Sequence, residues 1–224
     1  MTTVSVNKGI LSRNDILAAK IRARVSARGI LALNLVSSPG SGKTSLLERT
    51  VRELPSDLKL AIIVGDVQTE RDAERLRSAG AQIVQPITTG GLCHLDAQMV
   101  TTAIDLLDLD SVDILLIENV GNLVCPSSYD LGEDMKVVLI SVAEGDDKPL
   151  KYPGMFRRSS LMLINKTDLL PHCDFNVDEV KANANKINGR IEVISLSCRN
   201  GEGLSSWYDW LTAKRAQKKQ GAVT

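Results

Sequence analysis

The sequence carries no surplus of charge, few cysteines and no long apolar run. Its 27 Lys and Arg are balanced by 27 Asp and Glu, so it offers no excess of cations to release counterions from a nucleic-acid backbone. No apolar run reaches the roughly 20 residues needed to span a bilayer. Neither nucleic acid nor a membrane is therefore an expected partner. Cys93, Cys125, Cys173 and Cys198 are the only cysteines, too few and too scattered for a disulfide scaffold. The opening MTTVSVNKGILSRNDIL is too polar for a signal peptide. These features predict a cytoplasmic protein with reduced thiols. Internal repeats and Pro- or Gly-rich linkers are also missing, and 224 residues suit one domain.

What is present is an alternation of short Val-, Ile- and Leu-rich runs with longer amphipathic stretches. That pattern predicts parallel strands buried on both faces and joined by crossover helices. Strands are expected at 30–36, 60–64, 82–84, 112–117, 136–142, 161–164 and 192–196, with helices at 43–53, 70–78, 94–107, 177–187 and 203–216. A further helix at 12–28 precedes the first strand and opens with Ser12 and Asp15 in capping-box spacing; its basic face reads as solvated. The expected layout is an N-terminal helical extension (1–29), a nucleotide-binding domain (30–216) and a basic flexible tail (217–224). In such sheets ligands bind at the carboxyl ends of the strands.

The first strand runs into SSPGSGKT, residues 37–44, and then into a helix. This matches the P-loop pattern, with Ser37 where the first Gly is usual. Gly40, Ser41 and Gly42 let backbone N–H groups curl around a phosphate, the helix dipole points at it, Lys43 supplies a cation, and Thr44 offers a hydroxyl to Mg²⁺. Ser45 completes the contact. Further along, Asn165, Lys166 and Asp168 form an N-K-x-D signature after a strand. Asp168 can accept from guanine N1–H and the 2-amino group, whereas adenine would leave the carboxylate unpaired, a penalty large enough to discriminate strongly. Ser197 and Cys198 follow the next strand, where a backbone N–H would meet guanine O6. GTP/GDP is thus the expected nucleotide.

Between these motifs, DILLIENVGNL resembles a Walker-B and switch segment in which Glu118 replaces Asp. Glu118 would act on Mg²⁺, the Gly121 N–H would report the γ-phosphate, and Asp66 is a second carboxylate able to orient the metal or the attacking water. Cys93 and His94 are adjacent. Gly90 and Gly91 supply a turn that lets them converge, and the N-terminus of the expected helix would favour a thiolate. Cys125, seven residues beyond Glu118, is a third ligand. Thiolate and imidazole suit Ni²⁺ and Zn²⁺ alike. Three ligands leave a tetrahedral site open to water, an exchanging position or a second subunit. His172 and Cys173 read as loop, and Trp207 and Trp210 as core or interface.

The stretches SSPGSGKT, GGLCHLDAQM, IENVGNLVCPSSYDLGE, EGDDKPLKYPGMF and INKTDLLP together resemble the HypB family of GTPases, which assist nickel insertion into [NiFe]-hydrogenases. The resemblance implies an α/β P-loop G domain with a mostly parallel sheet of about seven strands. It also implies GTP-favoured homodimerisation, a metal held by Cys93, His94 and Cys125 at the subunit interface, and two partners: a HypA-type nickel-binding accessory protein and the hydrogenase large subunit. EGDDKPLKYP reads from the residues alone only as a charged loop. The sequence departs from some family members in having no Cys or His before Cys93. The alternatives are a urease-accessory-type nickel GTPase, whose compact Cys-Pro-His motif is missing here, and a metal storage or carrier protein that uses nucleotide only for regulation.

Overall fold

The computed structural model describes residues 6–221. Seven strands, β1 (Leu31–Ser37), β2 (Leu60–Asp66), β3 (Ile83–Thr88), β4 (Ile114–Glu118), β5 (Met135–Ser141), β6 (Ser159–Asn165) and β7 (Glu192–Ser195), form one sheet. Their order is β3-β2-β4-β1-β5-β6-β7, and every neighbouring pair is parallel. Parallel strands need long crossover connections, usually helical, and only the β4–β5 connection lacks an α-helix, carrying a 3-10 turn at Cys125–Ser127 instead. The helices are α1 (Val6–Ser26), α2 (Lys43–Glu53), α3 (Arg71–Ser78), α4 (Ala97–Ile104), α5 (Lys148–Lys151), α6 (Pro153–Arg158), α7 (Val177–Ile187) and α8 (Leu204–Gly221), of which α1 precedes β1, α8 follows β7 and the rest lie in the connections between strands.

The period of two along each strand divides the core into layers. Leu31, Leu33 and Leu35 of β1 face one side, packing with Leu46 and Leu47 of α2, Leu76 of α3, and Trp207 and Leu211 of α8. On the other side, Ala32, Ala61 and Leu115 meet Ala18, Ile21 and Val25 of α1 and Val100 and Ile104 of α4. Towards β6, Val36, Val138 and Met162 meet Phe156 of α6 and Val180 of α7. Returning β4 between β2 and β1 leaves the reversal of strand order beside β1, so the loop after β1 opens into the crevice where such folds bind ligands. None of the helices in the described residues is long and apolar enough to cross a membrane.

Several boundaries differ from the sequence reading for physical reasons. Helix α1 begins at Val6, which puts Ser12 and Asp15 inside it. The capping box is therefore not used, because a cap needs non-helical backbone that this stretch does not adopt. The basic side chains of α1 and of the turn after it are also not simply solvated: Arg22 pairs with Asp130 at 2.6 Å, Arg28 with Asp110 at 2.6 Å, and Arg24 with Asp105. Strand β3 continues through Pro86 to Thr88, which is permitted because β3 is an edge strand. Helix α4 starts only at Ala97, capped by Asp96, whose side chain accepts the Met99 N–H.

Residues 217–221, expected as part of a flexible tail, belong to α8. Lys218 pairs with Asp134 and donates to Ser26 Oγ at 2.8 Å, while Arg215 pairs with Asp113. The remaining tail residues, 222–224, lie outside the described residues. The EGDDKPLKYP stretch, expected as loop, folds into a turn followed by α5 and α6. Its prolines occupy first-turn positions, where the missing N–H costs nothing.

Candidate functional site

The P-loop links β1 to α2 and lines a cavity of about 500 Å³. Pro39, Gly40, Gly42, Lys43, Thr44 and Ser45 form one wall, and Asp66, Asp72, Arg75, Glu118, Val120, Gly121 and Lys166 form the rest. Ser41 is buried beneath the loop and donates from Oγ to Ser38 O at 2.9 Å. Lys43 is buried, with Nζ donating to Ser37 Oγ at 2.8 Å, and burial lowers its pKa against the pull of Glu118 and other acids. Ser37, where Gly is usual, thus supplies a hydroxyl partner to the lysine. Gly121 lies against the loop so closely that a Cβ would meet Pro39 Cα at 3.0 Å. A side chain there would press on the P-loop.

Glu118 ends β4 and is only 3% exposed. Burial raises its pKa from the usual 4.5 to about 7, while Lys43 and the Thr44 hydroxyl pull it down. Thr44 Oγ1 donates to Glu118 Oε1 at 2.8 Å, and Oε2 is buried without a hydrogen-bond partner. An orphaned carboxylate oxygen beside a hydroxyl, facing a phosphate cradle, is a donor set suited to a hard divalent cation. Asp66 closes β2 on the same rim. Burial acts to raise its pKa, but hydrogen bonds from the Gln68 and Thr69 amides at 2.8 and 2.7 Å hold it below the usual range.

A second cavity, of about 320 Å³, adjoins the first and is lined by Gly42, Ser45, Asn165, Lys166, Asp168, Leu169, Cys198 and Arg199. Asn165 is buried and joins three segments: Nδ2 donates to Ser41 O at 2.9 Å, and Oδ1 accepts from Lys166 N and Cys198 N at 2.7 and 3.2 Å. Lys166 takes a left-handed conformation with φ of 63° and reaches Gly40 O at 2.7 Å. Ser197 Oγ donates to Asp168 Oδ1 at 2.5 Å and accepts from the Arg199 amide. The carboxylate is thereby oriented along the cavity wall. Burial pushes the Cys198 thiol up to about 11, so its side chain acts as packing and only its backbone is polar.

Cys93, His94 and Cys125 converge, with their ligand atoms all within 4.8 Å of one another. The loop after β3 turns through Gly90 and Gly91, at φ of 63° and 109°, backbone that a Cβ would strain. Cys93 Sγ lies 2.9 Å from Cys125 Sγ and 3.9 Å from His94 Nδ1. Asn122 Nδ2 donates to Cys93 O at 3.3 Å, and its Oδ1 accepts from Val124 N at 2.8 Å, fastening the two ligand loops together. Burial lowers the His94 pKa, with Asp96 opposing it, which favours the neutral ring that binds metals. The expected role of a helix dipole at Cys93 does not hold, because α4 starts at Ala97 and Asp96 occupies its N-cap. His172 and Cys173 join no ligand cluster among the described residues.

Several contacts had no counterpart in the sequence reading. Tyr129 stacks on His94, with ring centroids 3.9 Å apart. Lys148 donates to Ser38 Oγ at 3.1 Å and pairs with Glu144 at 3.2 Å, bringing the EGDDKP segment onto the P-loop. Arg75 lines the phosphate cavity, yet its guanidinium is held by Glu48 at 2.8 Å and Asp72 at 3.1 Å. An EGDDKP-type charge run gives no sign of which segment it covers, and a lone tyrosine gives no sign of a histidine partner.

Comparison with known proteins agrees with this geometry. The family model described as CobW/HypB/UreG, nucleotide-binding domain, matches residues 31–195. A hydrogenase maturation factor HypB from Rhizobium leguminosarum bv. viciae is 52% identical over 215 residues, covering 96% of this chain and 72% of that protein. Among solved structures, HypB from Helicobacter pylori in complex with nickel superposes with a TM-score of 0.87 at 43% identity, covering 92% of this chain and 97% of that one. A hydrogenase maturation factor HypB from Archaeoglobus fulgidus gives 0.84 at 40% identity, covering 91% and 99%.

Proposed function

This chain belongs to the HypB branch of the CobW/HypB/UreG family of P-loop nucleotide-binding proteins, and we propose that it is a GTPase that binds nickel and supports its insertion into a [NiFe]-hydrogenase. The observation that carries this reading is the convergence of Cys93, His94 and Cys125 on loops continuous with the phosphate cavity. Cys125 lies on the continuation of the segment that starts at Glu118 and passes Gly121. A change around the γ-phosphate therefore has a short covalent path to a metal ligand.

The roles follow from placement. The Gly40, Ser41 and Gly42 amides and the Lys43 ammonium take the phosphates, with Ser45 on the same wall. Asp168, oriented by Ser197, reads the guanine edge, while Asn165, Lys166 and Cys198 hold the base pocket in shape. Thr44 and Glu118 would hold Mg²⁺, which neutralises phosphate charge when bound. Asp66 faces the same cavity and orients water, and the Gly121 amide reports the γ-phosphate. Cys93, His94 and Cys125 take Ni²⁺, and the same donors accept Zn²⁺.

Three protein ligands leave a four-coordinate site incomplete. Leu92 and Val124, each next to a cysteine ligand, are 46% and 61% exposed. Both features support a two-fold pairing of chains around the metal loops, favoured by GTP. A HypA-type nickel-binding accessory protein and the hydrogenase large subunit are the proposed partners, in the cytoplasm.

The test is nucleotide turnover by the purified chain. Mg²⁺-dependent hydrolysis of GTP, absent with ATP and lost in Lys43→Ala, is the expected result. Equal hydrolysis of ATP overturns the base assignment, and turnover that survives Lys43→Ala overturns the site.

A further inference from the structure

A set of buried polar side chains lies between the two sites and belongs to neither. Asn119 follows Glu118 directly and is 1% exposed. Its Oδ1 accepts from Val120 N at 2.9 Å and from Leu95 N, the residue after His94, at 3.1 Å. Its Nδ2 donates to Asn34 Oδ1 at 3.2 Å. Asn34, fully buried in the middle of β1, donates in turn to Glu133 Oε1 at 3.2 Å. Glu133 pairs with Lys136, and Lys136 Nζ donates to Tyr129 O at 2.8 Å. Tyr129 is the residue stacked on His94. The chain of contacts thus leaves the switch segment, passes through Asn34 of the P-loop strand, and reaches the neighbourhood of His94 from two sides, at Leu95 and at Tyr129.

Such a network constrains its members together. The Asn119 carboxamide cannot turn or shift without stripping a buried backbone N–H of its acceptor, and a buried unsatisfied donor is costly. Two apolar residues of similar size would pack β1 and β4 as well without tying anything to Leu95. We propose that Asn34 and Asn119 are positioning residues that make the 93–95 metal loop follow the 118–121 segment, so that the state of the nucleotide sets nickel affinity through hydrogen bonds as well as through the covalent path to Cys125. This rests on the two-site function proposed above.

The experiment titrates Ni²⁺, followed by sulfur-to-nickel charge-transfer absorption, into protein loaded with GDP or with a non-hydrolysable GTP analogue. Wild type, Asn119→Ala and Asn34→Ala are compared, with thermal unfolding and nucleotide affinity as controls. In wild type the two nucleotide states should differ in nickel affinity by about 5-fold or more, the usual lower end of site-to-site coupling. In each variant the ratio should fall to about 2-fold or less while nickel still binds through sulfur, and the two substitutions should be non-additive, as expected for one network. Folded variants that keep the wild-type ratio overturn the inference alone. A wild type whose nickel affinity ignores the nucleotide overturns the two-site coupling on which it rests. Should either variant fail to fold, amide exchange at Leu95 in wild type decides. Protection that differs between the two nucleotide states supports the network, and identical protection overturns it.

Discussion

At the scale of single residues, Glu118 makes a pH prediction. Its folded pKa of about 7 lies above the usual 4.5, so the native state holds the proton more tightly than the unfolded chain does. Stability from this group is complete below about pH 4.5, falls as pH rises through that interval, and is lost above about pH 7, where the buried carboxylate is charged. The difference corresponds to about 3 kcal/mol. Glu118→Gln should therefore raise the melting temperature of nucleotide-free protein at pH 8 and change it little at pH 5, while weakening Mg²⁺-dependent nucleotide binding. Thermal unfolding at the two pH values checks this, and a variant less stable at pH 8 contradicts it.

Two further residues define the chemistry. With Arg75 tied to Glu48 and Asp72, the described residues lining the cavity offer no free guanidinium to stabilise the transition state. Single-turnover hydrolysis by the isolated chain should accordingly be slow, on the order of 10⁻⁴ per second, as read by phosphate release. In Asp168→Asn an acceptor becomes a donor, so preference should move from guanine towards xanthine nucleotides. Unchanged GTP affinity in that variant removes Asp168 from the base pocket.

At the scale of elements, the layer formed by α2, α3 and α8 depends on Trp207. It is fully buried, and its Nε1 donates to Thr50 Oγ1 at 2.9 Å, joining α8 to α2. Trp207→Ala should cost about 3–5 kcal/mol, measured by chemical denaturation; a loss under 1 kcal/mol would mean that α8 contributes little to the core. Helices α2 and α7 were legible to the residue because a P-loop opens the first and Asn176 caps the second, its side chain accepting from Asp178 and Glu179 N–H at 3.0 Å. The expected start of α4 at residue 94 differs from the observed one because His94 and Leu95 fit a helical pattern equally well, and only the Asp96 cap shows where the helix begins. The phosphate and guanine motifs were legible because each is contiguous. Asn34, Asn119, Glu133 and Lys136 come together only after three segments pack, and the sole sequence trace of that meeting is a lone Asn in the apolar run LALNLVS.

At the scale of the whole molecule, the fold places the Asp168 cavity, the P-loop cavity and the Cys93, His94 and Cys125 cluster along the carboxyl edge of one sheet. If nucleotide changes metal affinity, linkage requires metal to change nucleotide affinity by the same factor. The two sites then act as one device, whose output is the release or retention of nickel. The most direct test is Ni²⁺ affinity measured on wild-type protein in its GDP and GTP-analogue forms, alongside Cys93→Ala and Cys125→Ala. The account predicts different affinities in the two forms and loss of tight binding in both cysteine variants. Nickel binding that is indifferent to the nucleotide and survives both substitutions would contradict it.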